Sequence, residues 1–179
     1  MTDRLVAFLQ ARLGEDEQVA RAARDDVGEA AWIGSQESGH PWRYQHQGVW
    51  GEHDGLCSEA PPVAETTSRP AQDHIARHDP ARTLREVEAK RQLVDAALAD
   101  RHHVSADQYE TCPRATAADG LDESTLAALE ALNEERRQED GLEPECWDSC
   151  GRDARVRRTL ELLALPYSDH PEYEEAWRR

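Results

Sequence analysis

The sequence predicts an α+β fold that is mainly α: three packed helices, a small antiparallel β-sheet and a peripheral acidic helix. Three observations carry that expectation. Apolar residues recur at helical spacing in three separated stretches, around Leu5–Leu13, Leu84–Leu98 and Val156–Ala164. A stretch punctuated by Gly and Pro, with paired aromatics at Trp42, Tyr44 and Trp50, lies between the first two. A run of acids interleaved with Leu126, Leu129 and Leu132 precedes the third.

The first helix is expected over residues 3–25. Thr2 suits its N-cap, and Asp3 suits the positive end of the helix dipole. Leu5, Phe8, Leu9 and Leu13 share one face, and Glu17, Arg21 and Arg24 keep the other side wet. Residues 28–72 are too rich in Gly and Pro for a helix. Trp42–Gln45 and Val49–Glu52 read as two short strands turning at Gln47-Gly48, with a third strand ending near Leu56-Cys57 and a loop over 58–70. Gln72–His78 reads as a helical turn. The second long helix has the clearest start in the chain, with Asp79 as N-cap and Pro80 at the first helical position, and runs to about Asp100. Residues 104–121 are irregular and, like 58–72, expected to be mobile. Asp122 opens an acidic helix over 122–139, and a last helix spans about 152–165, stopped by Pro166. Tyr173 and Trp177 fall on one side of a final turn that His170 caps.

Composition narrows the function classes. The chain has 179 residues, 37 acids against 21 bases, and a formal net charge of −16. Leu, Val, Ile and Phe together make 28 of the 179 residues. That is below the roughly 20% under which a highly charged chain resembles a disordered one. Five tryptophans partly replace the missing aliphatics. The length fits a single domain, 1–179. Direct nucleic-acid binding is disfavoured by the negative charge. No run approaches a membrane span, and the N-terminal residues do not read as a signal peptide, so a cytoplasmic protein is expected.

Two constellations carry metal-ligating chemistry. Cys112, Cys146 and Cys150 with His102 or His103 supply the donors of a tetrahedral structural zinc, and His103 is the preferred histidine. A small domain short of core gains most from such an ion. His74 and His78 are four residues apart, so on a helix both imidazoles share a face and form a weaker candidate. No phosphate loop, hydrolase elbow or kinase signature occurs. The expected protein is therefore a cytosolic, non-enzymatic binding or adaptor protein with a protein partner and a structural zinc. Two other readings stand beside it. One is a metal-dependent hydrolase using His74, His78 and Asp79. The other is an acidic DNA mimic that occupies a nucleic-acid-binding protein.

Three blocks of sequence resemble a known family. They are Leu5–Glu17 (LVAFLQARLGEDE), His74–Arg82 (HIARHDPAR) with Glu86–Arg91 (EVEAKR), and Leu163–Tyr173 (LALPYSDHPEY). Together they resemble the DUF6221 family, small proteins of unknown function from actinobacteria and their phages. The resemblance implies a helix, a short Trp-containing β segment, the HIARHDP helix and a Cys-containing stretch before the last helix. It also implies a zinc site built on a CxxC pair and a further Cys. Here Cys112 is followed by Pro113-Arg114-Ala115, the later pair is CxxxC, and Arg157 and Arg158 stand where the family's last Cys would fall. Residues 113–145 look like an acidic helical insertion into the family pattern.

Overall fold

The computed structural model describes residues 2–27, 42–45, 48–51, 64–65 and 69–178. In chain order the elements are α1 (Thr2–Val27), β1 (Trp42–Gln45), β2 (Gly48–Gly51), β3 (Ala64–Glu65), α2 (Arg69–Arg77), α3 (Pro80–Leu98), α4 (Glu123–Asp140) and α5 (Arg152–Ala164). Short 3-10 turns follow at Ala117–Asp119, Leu165–Tyr167 and Glu175–Trp177. No helix among the described residues is long and apolar enough to cross a membrane.

The expected α+β class is corrected: the fold is helical. Helices of 26, 9, 19, 18 and 13 residues stand against strands of only 4, 4 and 2. The strands pair antiparallel in the order β1-β2-β3, and the helix beside them is the nine-residue α2. A ribbon this short buries too little to act as a layer of the fold. The strand expected near Leu56-Cys57 lies outside the described residues.

The helix starts follow from local chemistry. The Asp79 carboxylate accepts the backbone N–H of Arg82 at 2.7 Å, and Pro80 opens α3. The Asp122 carboxylate accepts the N–H of Thr125 at 2.8 Å, and Gly141 closes α4 in the left-handed conformation, φ 68°. At the C-terminus the Tyr173 and Trp177 rings meet edge to face, with centroids 5.6 Å apart.

Contacts divide the chain into two compact units. One is Ala7–Gln92, in which Phe8, Leu9, Leu13 and Ala20 of α1 are buried, as are Ala81 and Val87 of α3. Glu17 there pairs with both Arg21 and Arg91, and these guanidinia hold its carboxyl below the usual range. The other unit is Leu93–Arg179 with Met1–Val6. Its core gathers Cys112, Ala115, Leu121, Leu129 and Cys150, with Val104, Leu126, Cys146 and Trp147 packed against it.

That second core corrects two further expectations. The acidic helix α4 is not peripheral. Leu129 and Asn133 are buried, and Asn133 Nδ2 donates to the Pro113 carbonyl at 2.8 Å. One apolar stripe suffices to dock the helix while its acids face outward, where Arg137 collects Glu130, Glu134 and Glu143. Nor is the 104–121 segment a loose loop. Thr111 and Cys112 are fully enclosed, and Thr111 Oγ1 accepts the N–H of Ser105 at 3.0 Å. Irregular chain is held there by hydrogen bonds in place of a repeating ladder.

Candidate metal centre

Three segments of the C-terminal unit deliver four donors. His102 follows the end of α3, Cys112 ends a turn, and Cys146 and Cys150 flank a second turn that leads into α5. The ligand atoms of His102, Cys112, Cys146 and Cys150 all lie within 4.8 Å of one another. Among the described residues this is the cluster in which such donors converge.

The local chain is built to hold these positions. The Asp119 carboxylate accepts the N–H of His102 at 2.8 Å and that of Thr116 at 2.7 Å, tying the histidine to the 3-10 turn. Those amides, acting against burial, hold the Asp119 carboxyl below the usual range. Cys112 N–H donates to the His103 carbonyl at 3.0 Å. In the second turn the Trp147 carbonyl accepts from Cys150 at 3.0 Å and Gly151 at 2.8 Å. Gly151 takes φ 64°, a conformation that disfavours any residue with a Cβ. Arg152 then bridges back, donating to the carbonyls of Leu98 and Asp100, each at 3.0 Å, at the end of α3.

The donor set fits zinc. Bonds of about 2.3 Å to sulfur and 2.0–2.1 Å to nitrogen place S and N about 3.6 Å apart around a tetrahedral ion. His102 Nδ1 lies 3.4 Å from Cys112 Sγ and 3.7 Å from Cys150 Sγ. The other ring nitrogen, Nε2, is 3.7 Å from Asp153 Oδ1. That carboxylate is held by Arg152 at 3.0 Å and Arg114 at 3.2 Å. An outer carboxylate behind a ligating imidazole fixes the ring and its tautomer.

The thiols differ in character. Burial pushes Cys112 up to about 11. Cys150 is also raised by burial, but the backbone amides of His103 and Arg152 and the His102 ring outweigh that and bring it down to about 6. The His103 N–H meets Cys150 Sγ at 3.2 Å. One thiol is thus already disposed to the anionic form that a metal needs, while another gives up its proton only to an ion.

Three of the four expected ligands converge, and the fourth is corrected. His102, not His103, faces the thiols. His103 serves through its backbone and leaves its side chain exposed. The His103 side chain is exposed while the His102 ring is enclosed among the thiols, so only His102 reaches the centre. His74 and His78 do share a face, with ring centroids 4.4 Å apart, but both are exposed. The Asp79 carboxylate is engaged as the α3 cap, and no third donor joins the pair among the described residues. Asp119, Asp153 and Gly151 escaped the sequence reading, since no spacing rule points to residues that act through a ligand. Cys57 lies outside the described residues.

Comparison with curated proteins and with solved structures finds no match. Comparison with family models does, over residues 2–179. The chain belongs to the family of unknown function DUF6221.

Proposed function

We propose that this is a cytosolic, non-enzymatic binding or adaptor protein whose C-terminal unit is held together by a structural zinc on His102, Cys112, Cys146 and Cys150. The observation that carries this reading is the convergence of one imidazole and three thiols within 4.8 Å. A four-donor protein set of this kind leaves no open position for substrate, which favours a structural over a catalytic ion. The binding role draws support from the outward acids of α4 and from Tyr109 and Leu142, large side chains left exposed in the same unit.

Elemental analysis of the purified protein, before and after chelation, tests the metal. One zinc per chain with helix loss on chelation is the expected result. Protein free of metal, with unchanged circular dichroism in chelator, overturns it. The adaptor role is tested by affinity capture from native lysate, and repeated recovery of no partner counts against it.

A further inference from the structure

We propose that Cys146 is the point at which this centre is opened chemically: a hydroperoxide reaching it through the cleft beside Trp147 oxidises Cys146 first and breaks up the donor set. The inference rests on the zinc reading above and names a modification site within it.

The four donors are not equivalent. Cys112 is 0% exposed, Cys150 7%, and the His102 side chain 8%. Cys146 is only half-buried and lines a cleft of about 380 Å³ with Pro113, Arg136, Glu143 and Trp147. The amides of Arg114 and Trp147 donate to Cys112, and those of His103 and Arg152 to Cys150. Cys146 Sγ itself donates to the Trp147 carbonyl at 3.7 Å. N–H···S bonds draw electron density from a thiolate and blunt its nucleophilicity, and susceptibility to oxidation follows thiolate character and exposure. Exposure, with the open cleft beside it, selects Cys146. The cleft also carries Asp140, Glu145 and Asp148, a lining that repels anionic oxidants and admits a neutral hydroperoxide.

The chemistry balances within the centre. The Cys146 sulfur attacks one peroxide oxygen, the O–O bond breaks, and the other oxygen leaves as water with a solvent proton. Cys146 is then a sulfenic acid. Cys150 Sγ, held within 4.8 Å, attacks that sulfur, so the S–S bond forms as the S–O bond breaks, and the departing hydroxide takes a second solvent proton to leave as water. Two thiolates supply two electrons, and the peroxide takes them. His102 and Cys112 remain as a two-donor set.

The test uses the full-length, zinc-loaded chain and hydrogen peroxide. Released zinc is followed with a colorimetric chelator, and quenched samples are alkylated and mapped by mass spectrometry. The expected result is oxidation of Cys146 ahead of Cys112, one zinc released per Cys146–Cys150 disulfide, and rebinding after reduction. Cys146→Ser is expected to release zinc at least about tenfold more slowly under peroxide, since access and nucleophilicity set such rates. If that variant fails to bind zinc, the order of modification in the unmodified sequence decides alone. Oxidation beginning at Cys112 or Cys150, or release from Cys146→Ser at the original rate, overturns the inference while leaving the zinc reading intact. A purified protein without zinc sinks both.

Discussion

Among the described residues of the unit Ala7–Gln92 the buried apolar side chains fall on helices, with Phe8 and Leu9 side by side and Leu13 one turn on along α1, and Val87 on α3. In the unit from Leu93 onward two of the most enclosed residues, Thr111 and Cys112, belong to no helix or strand. The first unit turns a modest supply of aliphatics into a continuous stripe, and such burial stabilises by about 25 cal/mol per Å². The second has its irregular chain pinned by side-chain hydrogen bonds, with thiols where aliphatics would stand. Thiols packed this way contribute little area, but three of them with the His102 ring offer an ion four donors. The same shortage of Leu, Ile, Val and Phe thus leads to a periodic core in one region and, in the other, a core built around thiols that could hold an ion.

The largest way to break this contrast is Cys112→Ser. Apparent binding energies of structural zinc in small domains run to about 10–16 kcal/mol, and that energy is folding energy. The variant is expected to lose its zinc and amide-exchange protection across residues 101–164, while Phe8–Leu13 stay protected. Hydrogen exchange read by mass spectrometry checks both halves at once. Loss of protection in the two regions together would mean that the metal organises the whole chain. The reverse experiment is Leu9→Ala, at a side chain only 1% exposed. It should cost about 2–5 kcal/mol in chemical denaturation. Its zinc content should remain at the original stoichiometry, and a parallel loss of zinc would erase the distinction between the regions.

The helix starts were legible because their signals are local. Asp79-Pro80 and Asp122 each act within one turn, and both caps form as the residues dictate. What was misread depends on contacts across tens of residues. The acids from Asp122 to Glu145 made α4 look like a solvated excursion, yet Leu129 alone is enclosed deeply enough to anchor it on the cysteines. The choice between His102 and His103 turns on how the irregular chain after α3 is held, and Asp119 holds it from 17 positions away. Sequence offers no periodicity from which to read such a contact. The His74–His78 pair shows the converse: its spacing correctly placed two rings side by side, but spacing says nothing about whether a third donor arrives.

A smaller effect sharpens the comparison from within the unit that carries the donor cluster. Asp153→Ala removes the carboxylate 3.7 Å behind His102 Nε2 and leaves all four donors in place. Loss of such an outer partner typically costs about 10–100-fold in metal affinity. Competition with a chelator of known affinity is expected to show that weakening, with helicity unchanged in excess zinc. Unaltered affinity would make Asp153 a partner of Arg114 and Arg152 alone.

The smallest expected effect is at Gly151, where the backbone itself is the issue. With φ at 64°, a Cβ there meets Arg155 Nη1 at 3.2 Å and the Asp148 carbonyl at 3.5 Å. The arginine end can swing aside, so the steric part is mild, and the left-handed conformation carries most of the cost, about 1–2 kcal/mol for a residue with a Cβ. Gly151→Ala should therefore lower the unfolding midpoint of the metal-bound protein modestly. In chelator, where the C-terminal unit is expected to loosen, the same substitution should have much less effect, because the turn it strains would no longer be enforced. Equal destabilisation with and without metal would show that the Cys146–Cys150 turn is set by its hydrogen bonds to the Trp147 carbonyl, independently of any ion.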